Sequence, residues 1–146
     1  MTICTKDREE LFGEIKNGEM VLNELGKIVF KNLKNIPYYF ENINLDKFIV
    51  MPNHVHLILE INKNIVGAIH ELPLQKRRNM LIPKIIGKFK MLSAKEINIL
   101  ANNSGNPLWQ RNYYDHIIRN EIELNKIREY ILENPKNWER DRNNIV

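Results

Sequence analysis

With 146 residues, 43% of them hydrophobic and 27% charged, the chain has the length and composition of a single globular domain, and residues 1–146 read as one unit. No apolar run approaches the roughly 18 residues of a membrane helix, no signal peptide is visible, and the lone Cys4 cannot close an internal disulfide; these features predict a soluble protein of a reducing cytoplasm. The formal charge of +4 is unevenly spread: residues 74–95 hold seven cations and no acid, whereas residues 1–26 hold six acids against three bases, which points to a polyanionic partner.

Residues 1–6 have the β-branched, apolar character of a strand. Residues 7–18 are polar and turn-like, with Leu11, Phe12 and Ile15 as anchors. Asn23 then caps a helix whose apolar positions are Leu25, Ile28, Val29, Leu33 and Ile36, and Pro37 ends it. Residues 45–51 form a second strand, turned by Pro52-Asn53 into a third, so the two predict a hairpin. Residues 62–80 are polar and basic without a strong period and read as a loop. Pro83 suits the first position of another helix, with Ile85, Ile86, Phe89, Leu92 and Ile99 on its buried stripe. After a loop at 102–107, residues 109–118 alternate as a strand. Asn120-Glu121-Ile122-Glu123 reads as a capping box opening a last helix through Leu124, Ile127 and Ile131, which stops by Pro135. The order strand, helix, strand, strand, helix, strand, helix predicts an α+β fold: a ferredoxin-like split β-α-β sandwich, an antiparallel sheet with packed helices.

The chemistry concentrates on the third strand. In His54-Val55-His56-Leu57-Ile58-Leu59-Glu60-Ile61 the odd positions are all apolar, so His54 and His56 project side by side from the other face. Paired imidazoles are a common ligand set for divalent metals; two half-exposed histidines on a polar strand face are the alternative use of the pattern. On the last helix Tyr130 and Asn134 are four residues apart and share a face. A phenol titrates near pH 10 and attacks poorly at neutral pH unless a metal polarises its target. Asn134 offers an amide oxygen as a weak third ligand, and a mixed nitrogen and oxygen set with open positions suits Mg²⁺ or Mn²⁺. Tyr130 also suits a packing position beside the Leu124–Ile127–Ile131 stripe. Trp109 could stack on an unpaired base or sit in the core. Arg111, Lys88, Lys90, Arg77 and Arg78 are candidate phosphate contacts, with a solvated basic face as the other option. His116 and His70 have no partner that the sequence names.

His54-Val55-His56 resembles the signature of the HUH nucleases. The flanking Phe48-Ile49-Val50-Met51-Pro52-Asn53, the later Trp109-Gln110-Arg111-Asn112-Tyr113-Tyr114-Asp115-His116 block, and Tyr130-Ile131-Leu132-Glu133-Asn134-Pro135 are similar to the REP-associated tyrosine transposases and the single-tyrosine transposases of insertion sequences. The resemblance covers nearly the whole chain. It implies a transposase that nicks and joins single-stranded DNA, recognises DNA hairpins, and works as a monomer or homodimer in a bacterial-type cytoplasm at the nucleoid. Tyr130 would attack a phosphate to give a 5′-phosphotyrosine and a free 3′-hydroxyl, while His54, His56 and Asn134 would hold the divalent ion. Glu133 and Glu60 are substitutes for the third ligand, and Tyr113 and Tyr114 are rival nucleophiles on the wrong block. Relatives usually carry a few residues ahead of Thr2-Ile3-Cys4-Thr5, so the first strand reads as shortened at the N-terminus. A domesticated hairpin-binding protein without mobility is the second reading. An unrelated His-x-His metallohydrolase is the third, though its usual barrel needs roughly 250 residues.

Overall fold

The computed structural model describes residues 1–62, 74–103 and 105–144, without the side chains of residues 74–80. Its sheet is built from β1 (Thr2–Cys4), β4 (Ile43–Met51) and β5 (His54–Ile61), with β1 and β4 both antiparallel to the central β5. The Pro52-Asn53 turn joins β4 to β5, as the sequence predicts. The expected strand at 109–118 is reduced to two bridges on the free edge of β1, Thr5 to Trp109 and Thr2 to Tyr114. Between those bridges β1 advances three residues and its neighbour five, so the neighbour bows out and cannot keep a ladder. The spatial order 109–114, β1, β5, β4 is nevertheless that of the split β-α-β sandwich.

One face of the sheet carries Ile3, Val50, Val55 and Leu57 into the core. Two helices cover it, α1 (Glu24–Lys34) and α3 (Leu74–Leu100), through Val29, Leu33, Ile85, Ile86, Phe89 and Ile97. A short α2 (Ile36–Tyr39) with Pro37 in its first turn follows α1 and rests on β4. The Asn23 side chain accepts from Gly26 N at 2.9 Å, which confirms the cap at the start of α1.

Three expectations are corrected here. Helix α3 starts at Leu74, so Leu74 to Met80 is helical and Pro83 lies inside the helix. Gln75, Lys76, Arg77, Arg78 and Met80 are strong helix formers, and they carry the helix across a proline that removes one backbone donor. The buried stripe runs Ile85, Phe89, Ser93, Ile97, and Ile99, two residues further on, is 71% exposed. Residues 7–18 also hold more than turns: they contain β2 (Gly13–Lys16), which pairs with the following β3 (Glu19–Leu22) in a separate hairpin. Its connection is Asn17-Gly18, both at positive φ (53° and 74°), as a tight primed turn requires.

The other face of the sheet carries Thr2, Cys4, His54, His56 and Ile58. Helix α4 (Glu121–Glu133) and a 3₁₀ turn (Trp138–Arg140) belong to the chain that closes over it. Asn120 caps α4 by accepting from Glu123 N at 2.8 Å. The Glu123 carboxylate reaches back to Arg119 N and to His116, one residue beyond the Asn120 N–H that a capping box would use. Arg128 fixes α4 to the sheet through a forked contact with Asp46 (Nε to Oδ1 3.1 Å, Nη2 to Oδ2 2.6 Å), beside an irregularity in the β4–β5 register.

Candidate active site

The two histidines are not half-exposed. His54 is 0% and His56 4% exposed, because Tyr130 on α4 and Trp138 beyond it cover the polar face of β5. Trp138 stacks on His54 with ring centres 5.9 Å apart, and Tyr130 meets His56 edge-on at 5.3 Å. The Nε2 atoms of His54 and His56 converge to 3.0 Å. Behind them, His54 Nδ1 lies 2.8 Å from Asn53 Oδ1, and His56 Nδ1 lies 2.9 Å from Thr2 Oγ1.

Two oxygens complete the surround. Asn134 Oδ1, from the residue capping the C-terminus of α4, and Asp141 Oδ2 are both buried with no hydrogen-bond partner. Asp141 Oδ2 stands 4.0 Å from His54 Nε2. Orphaned buried acceptors are costly, and beside two imidazole nitrogens they mark a place a cation would satisfy. The possible ligand atoms of His54, His56 and Asp141 all lie within 4.8 Å of one another. Donors of this type fit a divalent ion with nitrogen and oxygen ligands. Glu60 is exposed near the end of β5 and Glu133 pairs with Lys136, so neither belongs to this group.

Electrostatics keep the imidazoles neutral, the form that binds metal. Burial pulls His54 down to about 4 against the opposing pull of the Asp141 carboxylate and the Asn134 amide. His56 is lower still, through burial first and then the His54 charge. Tyr130 is pushed above the ordinary phenol value by burial and by Asp141. Its ring is half-exposed and opens on a cavity of about 1660 Å³ lined by apolar side chains such as Ile58 and Ile127 and by Arg119, Arg140 and Arg142.

Asp141 and these three arginines are what sequence reasoning missed. Asp141 has no spacing signal relative to His54, and only folding of the tail brings them together. Tyr114 also lines the cavity, with Arg142 5.9 Å over its ring, while Tyr113 packs against the core. His116, left without a partner above, pairs with Glu123. His70 lies outside the described residues.

The expected DNA contacts separate. Trp109 is 7% exposed, packs between Phe12 and Phe89, and donates from Nε1 to Ser93 Oγ at 3.0 Å; it is a core residue and not a base platform. Lys90 is spent on structure, donating to the carbonyls of Gln110 (2.8 Å) and Arg111 (3.2 Å), and burial lowers its pKa. Lys88 leaves α3 on a different side and sits 4.2 Å over the Tyr39 ring. The Arg111 residue is exposed. The side chains of Arg77 and Arg78 lie outside those described.

An antiparallel α+β sandwich whose central strand presents paired histidines to a tyrosine-bearing helix is the HUH fold. The chain belongs to the IS200-like transposases: the family model described as "Transposase IS200 like" matches residues 1–134. It is also 41% identical over 150 residues to an uncharacterized protein of Haemophilus influenzae, the match covering 97% of this chain and 82% of that one. Membership in this family implies a DNA substrate and a transposase-like function. The family match ends at Asn134, so Asp141 lies past it.

Proposed function

We propose that the whole chain acts as one metal-dependent domain that cleaves and rejoins single-stranded DNA bearing hairpins, with Tyr130 as the nucleophile. The observation that carries this reading is the edge contact of Tyr130 on His56 beside converging imidazole nitrogens and two unsatisfied buried oxygens. His54 and His56 would hold Mg²⁺ or Mn²⁺, with Asn134 and Asp141 as oxygen ligands. Such an ion, when bound, would supply polarisation of the scissile phosphate and charge stabilisation of the leaving oxygen.

Tyr130 Oη bonds to phosphorus as the bond from phosphorus to the 3′-oxygen breaks, leaving a 5′-phosphotyrosine. The phenol proton ends on the freed 3′-hydroxyl, so the step balances without an external reactant. Rejoining reverses it on another 3′-end. Because Tyr130 titrates above the usual phenol range, its unaided phenolate is scarce at neutral pH. The apolar cavity suits unstacked bases, and Arg119, Arg140 and Arg142 suit the phosphates between them. Work on DNA in a bacterial-type cytoplasm, near the nucleoid, accords with this. Among the described residues no helix is long and apolar enough to cross a membrane.

The test is a labelled pool of single-stranded hairpins incubated with Mg²⁺ and resolved on a denaturing gel. Wild type should form a covalent adduct, Tyr130→Phe none, with DNA binding kept; His54→Ala and His56→Ala should bind without cleaving. An adduct surviving in Tyr130→Phe would move the nucleophile to Tyr114.

A further inference from the structure

The Asn53 amide, 1% exposed, has its orientation settled by its neighbours. Its Nδ2 faces the carbonyl oxygens of Arg8 at 3.2 Å and Asn143 at 2.6 Å. Carbonyls only accept, so the NH₂ group must lie on that side and Oδ1 must face His54 Nδ1. Oδ1 also only accepts. His54 therefore carries its proton on Nδ1 and a lone pair on Nε2.

That lone pair points at His56 Nε2 from 3.0 Å. Without a cation the contact is a hydrogen bond only if His56 carries its proton on Nε2 and donates it. His56 Nδ1 is then bare, and Thr2 Oγ1 donates to it across 2.9 Å. A cation held by both Nε2 atoms needs a lone pair on each, so His56 must then hold its proton on Nδ1 and donate to Thr2 Oγ1. A hydroxyl serves either arrangement by rotating its hydrogen, with no heavy atom moved. The Asn53 amide, tied to two carbonyls, cannot.

We propose that Asn53 and Thr2 are positioning residues with opposite duties: Asn53 locks His54 in the metal-ready tautomer, and Thr2 is a rotor that lets His56 change tautomer on loading. This rests on the reading of the two histidines as a ligand pair. Partners behind metal-binding histidines set tautomer and ring orientation in just this way. The strand register supplies both residues: Thr2 on β1 stands opposite His56, and Asn53 ends the turn that starts β5.

The test is ¹⁵N NMR of the imidazole nitrogens in full-length protein, first metal-free and then with Zn²⁺ as a diamagnetic probe, with Zn²⁺ affinity by calorimetry. Metal-free protein should show His54 as Nδ1–H and His56 as Nε2–H; with Zn²⁺ both should be Nδ1–H. Thr2→Val, close in shape and without the hydroxyl, should weaken Zn²⁺ binding roughly 10–100-fold. Thr2→Ser should restore it. Metal-free His56 already protonated on Nδ1, or equal affinity in Thr2→Val, would overturn the rotor while leaving the ligand pair standing. His54 found as Nε2–H would overturn the lock. Wild type that shows the expected metal-free tautomers yet binds no Zn²⁺ would overturn both the ligand reading and the rotor.

Discussion

At His54 and His56 burial removes the water that lets an ordinary imidazole protonate near pH 6.5. Both folded-state values are depressed, so their contribution to stability is complete above the unfolded value and is lost as pH falls towards the folded ones. Between about pH 6.5 and about pH 4 each ring should cost roughly 1.4 kcal/mol per pH unit, because the unfolded chain binds a proton that the folded chain refuses. Urea unfolding in EDTA at a series of pH values should show this decline, and His56→Asn should remove about half of its slope in that window. A flat profile would mean that water reaches the rings. The pairing itself was legible, since alternation on a strand is a local property of the backbone. Its burial was not. The covering side chains, Tyr130 and Trp138, lie far along the chain, and no period links them to the histidines. Trp109 is illegible for a related reason: a tryptophan at a strand entrance looks the same in sequence whether its indole finds a base or Ser93.

Helix starts were the most readable elements, because a cap is settled by a side chain and a backbone N–H three residues away. Asn23 and Asn120 each accept such a bond, at 2.9 Å and 2.8 Å. Replacing either by alanine should cost about 1 kcal/mol, read as a lower urea midpoint at unchanged slope. The two changes should add, since the caps serve α1 and α4 separately and share no partner. A loss near zero for Asn120→Ala would show that the Glu123 contact with Arg119 N holds the start of α4 by itself. Signals failed where two local rules competed. Pro83 is the best start signal in its region, yet the run of helix formers ahead of it extends α3 upstream. Asn17-Gly18 between Ile15 and Val21 was a hairpin signal hidden in a stretch dominated by charge.

Across the whole molecule, the basic stretch of 74–95 was legible as charge but not as geometry. A helix turns about 100° per residue, so Lys88 and Lys90 project roughly 160° apart and cannot form one surface. Lys90 braces α3 against the 110–111 backbone, and Lys88 lies over Tyr39 beside α2. The cavity that holds Tyr130 takes its positive charge from Arg119, Arg140 and Arg142 instead. Phosphate contacts release counterions, so each one lost should flatten the dependence of log affinity on log salt by about 0.7 for a single strand, or about 0.9 for a duplex stem. Arg140→Ala should flatten the slope for a hairpin with a single-stranded flank, measured by fluorescence anisotropy across several salt concentrations. Lys88→Ala should do so only if the stem passes over α2 and α3, which a blunt hairpin without the flank would isolate. Lys90→Ala should leave the slope unchanged and instead lower the urea midpoint, because its ammonium already serves two carbonyl oxygens. A flattened slope in Lys90→Ala, with stability intact, would place the DNA along the 110–111 edge of the sheet and away from the arginine-lined cavity.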